Sequence, residues 1–552
     1  MVRSRRRDPA AVSHRFAIDS LAVRDGRMFG WGWLLDDDAA ASEIFLCLRL
    51  PDGGECRLRC PQMGSRPDLS EAFPRLRHAA GGGFMLQGRF PASVHADTEA
   101  CLEARLTDGR RIEIPLHGFP GQQQMLLSPT SSRRIRTWQM LRSGNWRGLV
   151  RRLSQWWARQ IGPWRASRVT RSGVRDGTER IVVFDHAMGG GANHFRGEQV
   201  ALWRSEGHDV RVVTPELASL DYLIDEIGAD GRPERRNHPD LASCLAALGT
   251  CTRVVVNDLV SFDDPLRVLE WVRARQRAGA RVWFYVHDFH AACPAWTLTS
   301  EFGRDCGVPA DLAQCARCLD ANAAPFLAML PSLDLPAWRV AWGDFLREAD
   351  QIVAFSDSTL RLLRRAHPGL DLGRARVEPH SIAYLGPAPP PFEPADDGGI
   401  VTIAVVGAIS LHKGAAVVAE MVRLIEAERL PARIVVIGSI DGVAPSPALR
   451  ITGPYKTGEL RELLVREQVS LAFLPSIVNE TFSYVTAELM HWSVPLAVFD
   501  LGAPAERVRH YALGCIIPAV DAQTALGTLL SFHRLLARTA DTPAERVHAE
   551  FP

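Results

Sequence analysis

Short apolar runs broken by turn residues fill residues 16–120: GRMFGWGWLLD, EIFLCLRLPDGG, CRLRCP, GGGFMLQGRF, ACLEARLTDGRR and IEIPL. That alternation, with Asp52-Gly53 and Asp108-Gly109 as tight-turn dipeptides, predicts an all-β sandwich. From Arg180 the period changes. IVVFDH predicts a buried strand, GGGANHFRGEQVALWRSEGHDV a glycine-rich loop entering a helix, and VRVVTP the next strand, with further strands at RVVVND and RVWFYVHDF. QIVAFSDSTLRLLRRA repeats the strand, cap and helix pattern, with Ser356 and Ser358 as cap candidates. A proline-rich stretch then separates a second α/β run: IVTIAVVGAISLHKGAAVVAEMVRLI, ARIVVIGSI and VSLAFLPS. The expected division is a basic tail (1–15), a sandwich (16–120), a linker (121–178), two α/β lobes (179–385 and 400–530) joined by a hinge (386–399), and a C-terminal tail or helix (531–552).

A chain of 552 residues predicts about three to four domains, and 46% hydrophobic with 23% charged residues is ordinary globular composition. The net charge of +1 gives no bias toward nucleic acid. The opening MVRSRRRDPA leads into no long apolar core, and no apolar run reaches the roughly 18 residues of a spanning helix. The expectation is a cytoplasmic chain, soluble or peripheral at the inner face of the plasma membrane. Charge is concentrated in the linker, where thirteen arginines between Ser131 and Arg180 face only Asp176 and Glu179, a net +11. Trp138, Trp146, Trp156, Trp157 and Trp164 are interleaved, and Leu149, Val150, Leu153 and Trp157 fall at helical spacing. An amphipathic helix on an anionic membrane surface fits this composition, and so does a linker whose tryptophans pack on a neighbouring domain. In the sandwich, Trp31 and Trp33 could stack on sugars or sit in the core.

Candidate chemistry lies at strand ends, where an open parallel sheet places its ligands. Gly189, Gly190 and Gly191 let the backbone approach a phosphate or sugar at a helix N-terminus, without the spacing of a dinucleotide fingerprint. His287 and Asp288 close a strand and are catalytic candidates: a histidine there could accept or relay a proton or hydrogen-bond a sugar, a reading favoured over an Asp-His pair that only shapes the loop. Cys293, Cys306, Cys315 and Cys318 follow. Four thiolates with one C-x2-C pair could hold one structural zinc, although the spacings of twelve and eight match no common finger. The eleven cysteines otherwise suggest reduced thiols. In the second lobe, Gly407 ends a strand, Lys413 and Gly414 open a helix suited to a diphosphate, and Tyr455 could stack on a base.

The stretch NETFSYVTAELM places Glu480 and Glu488 eight positions apart, one in a loop and one about two turns into a helix, so that both could touch one ligand. LPS, then Glu480, seven residues, Glu488 and VPLAVFDLGAPAE together resemble the donor half of retaining glycosyltransferases of family 4, which have the GT-B fold. The resemblance implies that Glu480 lies by the transferred sugar and Glu488 holds the nucleotide ribose. It also implies that the segment Phe482, Ser483, Tyr484, Val485 meets the diphosphate. Ser483 stands where the family usually has Gly, and Ala408 where it usually has Arg. GHDVRVVTP resembles the first lobe of such enzymes, while GWGW, RPDLSEAFP and GGGF resemble accessory sandwiches attached to bacterial surface-polysaccharide or O-antigen glycosyltransferases. The implied partners are a nucleotide-sugar donor and a glycan or lipid-linked acceptor. No D-x-D-like motif ends a strand of the lobes, so catalysis is expected to require no metal cofactor. Two alternatives stay open: a nucleotide-sugar epimerase or phosphorylase of the same fold, and a glycan-binding protein without turnover.

Overall fold

The apolar runs of the N-terminal region pair as seven antiparallel strands in two sheets. They are β1 (His14–Arg24), β2 (Arg27–Asp36), β3 (Ala41–Arg49), β4 (Glu55–Arg59), β5 (Gly83–Arg89), β6 (Glu99–Leu106) and β7 (Arg111–Leu116). One sheet runs β1-β2-β5 and the other β4-β3-β6-β7. Leu21, Met28, Phe84 and Leu86 from the first meet Ile44, Leu46, Leu102 and Ile114 from the second in one buried core, the layered packing of a β-sandwich. The computed structural model describes residues 14–50, 53–63, 66–76, 78–90, 98–116, 178–228, 231–394 and 399–540. Residues 1–13 of the basic tail and nearly all of the Arg/Trp-rich linker lie outside the described residues, and His14 and Arg15 belong to β1.

The first lobe has an eight-stranded sheet built from β8 (Arg180–Phe184), β9 (Asp209–Glu216), β10 (Asp221–Ile227), β11 (Pro233–His238), β12 (Arg253–Val256), β13 (Arg281–Val286), β14 (Gln351–Ala354) and β15 (Ala375–Val377). Its order is β11-β10-β9-β8-β12-β13-β14-β15. From β9 to β15 neighbours are parallel, and β10 and β11 add an antiparallel edge. Sequence periodicity gives no warning of that edge, because PERRNH has no apolar face. It is held through Arg235 on Asp225 at 2.5 Å and Arg236 on Glu226, a charged edge of the kind that resists further strand pairing.

The second lobe is a six-stranded, all-parallel sheet of β16 (Val401–Ile409), β17 (Ala432–Ile440), β18 (Leu449–Ile451), β19 (Leu471–Leu474), β20 (Leu496–Phe499) and β21 (Gly514–Ile517), ordered β18-β17-β16-β19-β20-β21. Helices cover both faces, so its strands are continuously apolar rather than alternating. The helix Ala522–Ala540 crosses the expected boundary at residue 530 as one element, with Ala525, Leu526, Leu529 and Phe532 in the lobe's core.

The sandwich docks on the first lobe through buried charge. Arg27 pairs with Asp263, whose carboxylate also meets Arg89 at 3.4 Å and the Tyr222 hydroxyl. Removing one partner of so buried a group typically costs about 3–5 kcal/mol. Beside it, Phe29 stacks on Phe326, and Trp31 packs in the same apolar cluster. Trp33 lies against Phe73 at 5.6 Å. Both tryptophans are therefore packing residues in this fold rather than a free sugar platform. No helix among the described residues is long and apolar enough to cross a membrane.

Candidate functional site in the cleft between the lobes

The loop after β19 brings Glu480 to the cleft, and close backbone packing holds it there. A side chain at Gly502 would meet the Glu480 amide nitrogen at 2.7 Å, and Ala503 N–H bonds the Glu480 carbonyl at 2.9 Å. On the other side, a side chain at Gly414 would fall 2.0 Å from the Pro475 carbonyl oxygen. Only glycine allows either approach. These contacts bring Lys413, just before the helix Ala415–Glu428, to 3.2 Å from the Glu480 carboxylate. Burial acts to raise the Glu480 pKa, but Lys413 and hydrogen bonds from Ser476, Lys413 and Ser483 outweigh it and hold the group below the ordinary glutamate range. Glu480 is thus a preorganised carboxylate.

Ser483 has φ +78°, which explains why glycine would suit the position. Serine gains compensation there. Its hydroxyl accepts the Thr486 N–H at 3.4 Å as the N-cap of the helix Tyr484–His491 and donates to Glu480. Glu488, inside that helix, is buried, and Tyr384 Oη donates to its Oε1 at 2.5 Å. Burial raises the Glu488 pKa, partly opposed by the Tyr384 bond and by His194. Tyr455 packs partly buried on the same lobe's core, close enough to Glu488 to feel its charge. Phe482 is buried beneath the Arg507 guanidinium and beside His380, and Val485 packs into the lobe. Gly407 lies two residues before the end of β16, at φ +118° with open space where a side chain would stand.

Opposite, three neighbouring strand ends of the first lobe carry polar dyads: Asp185-His186 after β8, Asn257-Asp258 after β12 and His287-Asp288 after β13. The Asn257 amide donates to the Ala192 carbonyl at 3.3 Å, so its oxygen faces His287 Nε2 at 3.1 Å and makes that nitrogen the donor. Burial depresses the His287 pKa, so the ring is neutral with Nδ1 as its acceptor. Asp288 turns away from this chemistry. Burial raises its pKa, it shares a hydrogen bond with Asp258, and it accepts the His290 N–H at 2.6 Å. That arrangement shapes the loop and keeps Asp288 beside Asp258 and His186 at the strand ends.

Asp185, His186 and Asp258 place their ligand atoms within 4.8 Å of one another. Arg196 at 2.8 Å and the Asn193 amide at 2.6 Å already compensate Asp185. At the glycine loop, Gly189 and Gly190 have φ +87° and +85°, and Gly191 opens the helix Gly191–Ser205 directly against Tyr484. A side chain at Gly191 would lie 3.1 Å from the Tyr484 ring. The two lobes therefore meet at the site. Thr481 Oγ1 donates to the His287 carbonyl at 2.8 Å, Asn479 to Asp305 at 2.6 Å, and Glu506 accepts the Asp357 and Ser358 amides at 3.0 and 2.6 Å.

Glu480, Glu488, Lys413, Gly414 and the Phe482–Val485 segment thus converge with the glycine loop and His287. Sequence reasoning missed Tyr384, Asn257, His380 and Glu506. His380 stacks between Phe355 and Tyr484 with centroids at 3.8 and 5.0 Å.

Residues 401–532 match the family model described as glycosyl transferases group 1. Two facing α/β lobes are the GT-B arrangement, and the second of them carries the matched glycosyltransferase domain. Among solved structures, sucrose-phosphate synthase from Thermosynechococcus elongatus is similar at 14% identity and TM-score 0.43, covering 66% of this chain and 90% of that one. A glycosyltransferase from Rickettsia africae is similar at 12% identity and TM-score 0.42, covering 65% and 89%. Anabaena HepE, solved with UDP and glucose, is similar at 13% identity and TM-score 0.38, covering 65% and 95%. No curated protein matches the chain. At the candidate site, the matched domain supplies Lys413, Glu480 and Glu488, while the glycine loop and the His287 dyad come from the other lobe.

Proposed function

We propose that this glycosyltransferase moves a sugar from a nucleoside-diphosphate donor to a glycan or lipid-linked glycan, with retention, in surface-polysaccharide synthesis. The observation that carries the reading is the ionised Glu480 carboxylate held by Lys413 beside a helix whose second turn presents Glu488. A carboxylate there opposes positive charge developing at an anomeric carbon, and Lys413 with the amides of the helix start opposes negative charge on the departing diphosphate. Ribose hydroxyls would bind Glu488. Departure of the nucleotide and attack by the acceptor on the same face give retention without a covalent enzyme intermediate. His287 offers a neutral acceptor nitrogen to a sugar or acceptor hydroxyl.

The test starts from a panel of nucleoside diphosphates and nucleotide sugars. The matching nucleotide raises the melting temperature, since a ligand present at 100 times its Kd stabilises the native state by about 2.7 kcal/mol. The matching donor then transfers label to a glycan acceptor with its anomeric configuration kept. Isomerised donor without transfer identifies an epimerase instead, and binding without turnover a glycan-binding protein.

The reading extends to the linker. Its +11 charge with interleaved tryptophan suits anionic lipid, where each basic residue contributes about 1 kcal/mol near the surface. Co-sedimentation with phosphatidylglycerol-containing liposomes is expected in low salt, weakening in high salt and lost on removal of residues 131–178. Equal binding by the shortened chain rejects the membrane role.

A further inference from the structure

The strand end that supplies His287 continues into a loop that the glycosyl-transfer reading leaves unused. Its middle is a short hairpin. Thr299 pairs with Asp305 in an antiparallel bridge, Ser300 N–H bonds the Arg304 carbonyl at 2.7 Å, and Gly303 N–H bonds the Ser300 carbonyl at 2.9 Å. Below the bridge, Cys306 N–H bonds the Leu298 carbonyl at 2.9 Å, and the Asn322 amide donates to the Thr299 carbonyl at 2.9 Å. Leu298 and Val308 close the base, buried with Phe289, Leu362 and Ala366 in one apolar cluster. Both stand at positive φ, +55° and +56°, where a branched side chain such as valine is strained and persists only because its surroundings hold it. Cys293, Cys306, Cys315 and Cys318 are free, and no three of their sulfurs lie within 4.8 Å of one another. As placed they stand too far apart to share the zinc that their spacing suggested, so backbone bonds and packing hold the hairpin.

What the hairpin holds out is Phe302. It is 80% exposed, the most exposed large apolar side chain among the described residues. A lone apolar residue on a surface is ordinary, but this one stands on a fixed tip beside the candidate site. Asp305, three residues on and so at most about 11 Å along the chain, accepts from Asn479 at 2.6 Å. Trp296, nearer the start of the loop, lies edge-on to His412 with ring centroids 6.4 Å apart. Asn479 and His412 immediately precede Glu480 and Lys413. The loop thus meets the second lobe at the two residues next to the ion pair of the site, and its tip stands at the mouth of the cleft on the first-lobe side. The neighbours of Phe302 on that tip, Glu301, Gly303 and Arg304, are charged or bare, so the tip offers one ring rather than an apolar patch. One aromatic ring with polar flanks matches the apolar face of a single sugar, whose hydroxyls stay with the flanks and with water. A bilayer or a protein partner requires a broader apolar area.

We infer that Phe302 is a platform for a sugar ring of the acceptor, set behind the ring that receives the transferred sugar, so that the enzyme prefers an oligosaccharide acceptor to a single sugar. The inference rests on the glycosyl-transfer reading and names the acceptor class for it. Phe302 touches no reacting atom. It binds the acceptor alike in the ground state and the transition state, so its contribution lies in acceptor KM rather than in kcat.

The test uses the full chain and label transfer from the matching donor, with a single-sugar acceptor and an oligosaccharide ending in the same residue. Phe302→Ala is expected to raise KM for the oligosaccharide about tenfold, a loss of ~1.4 kcal/mol, with kcat at saturating acceptor within about twofold of wild type. KM for the single sugar and the affinity for nucleoside diphosphate should stay at wild-type values. Phe302→Tyr keeps the ring and should keep the oligosaccharide KM. Because the side chain is exposed, both variants should also keep the wild-type melting temperature. An unchanged oligosaccharide KM in Phe302→Ala overturns the platform while leaving transfer itself intact, and so does an equal rise for both acceptors. Weakened co-sedimentation with phosphatidylglycerol-containing liposomes, with both KM values kept, overturns it in favour of lipid. A wild-type chain that transfers to neither acceptor overturns the platform and the transfer reading together.

Discussion

Glu480→Gln is expected to lower the rate of sugar transfer by about 10²–10³-fold while nucleoside diphosphate still binds within about threefold of wild type. Glutamine keeps the size of the side chain and its capacity to accept from Ser476 and Ser483, but removes the charge. The charge matters because it is preorganised. Lys413 at 3.2 Å and two hydroxyls hold the carboxylate in place, so no solvent reorganisation is needed when positive charge develops on the sugar. An interaction stronger in the transition state than in the ground state appears in kcat. Binding should survive for a second reason. Lys413 is 41% exposed and paired only on one side, and losing its carboxylate partner leaves the ammonium freer to meet a diphosphate. Transfer rates with saturating donor, alongside calorimetric nucleotide affinity, measure both halves. Near wild-type transfer by Glu480→Gln refutes the assigned role, and an inverted product anomer refutes the retaining mechanism.

How far the sequence reaches is visible at particular residues. Glu480, Glu488 and Lys413 are legible because strand ends and helix starts in a parallel α/β lobe converge by rule, and local spacing suffices to put them on one ligand. Ser483 looks like a departure in the sequence and becomes intelligible only through its φ of +78° and its double hydrogen bond. Tyr384 was not readable. It lies in a single 3-10 turn, Ala383–Leu385, before the proline-rich hinge, and its contact with Glu488 spans 104 positions. Asn257 likewise acts across 30 positions on His287, and nothing in RVVVND marks its amide as the group that fixes the imidazole tautomer. The tryptophans of GWGW show the same limit. Their amphipathic rings suit a sugar platform or an interface equally, and only docking on the first lobe, for Trp31, and packing on Phe73 within the N-terminal region, for Trp33, decide between them. The hairpin edge of that lobe escaped because charge pairs, rather than an apolar face, hold its register.

Glu488→Gln should separate binding from turnover in the opposite sense. In the proposed role, two ribose hydroxyls would make charge-assisted bonds to this buried carboxylate, each worth about 1.5–3 kcal/mol, in the ground state and the transition state alike. Loss of the charge is therefore expected to raise donor Kd and KM by about 10–100-fold, with kcat at saturating donor changed by less than about threefold. The pH dependence follows from the directions of the two shifts. Burial raises the Glu488 pKa, while the surroundings of Glu480 lower its own. As pH falls from neutral, Glu488 takes up its proton first, so donor affinity should decline while kcat holds, and the Glu480 contribution should fail only at lower pH. Tyr384 sets where the first step lies. Its hydroxyl bonds Glu488 Oε1 at 2.5 Å and favours the charged carboxylate. Tyr384→Phe removes that support without touching Glu488, so the pH at which KM begins to rise should move upward, with affinity well above that pH kept within about threefold. A Glu488→Gln variant with reduced kcat and unchanged KM would assign Glu488 to the chemical step. A Tyr384→Phe variant with the wild-type pH profile would remove the hydroxyl from the donor site. If both results hold as expected, the first lobe itself tunes the nucleotide site, because Tyr384 reaches Glu488 across the cleft from the end of that lobe, just before the hinge.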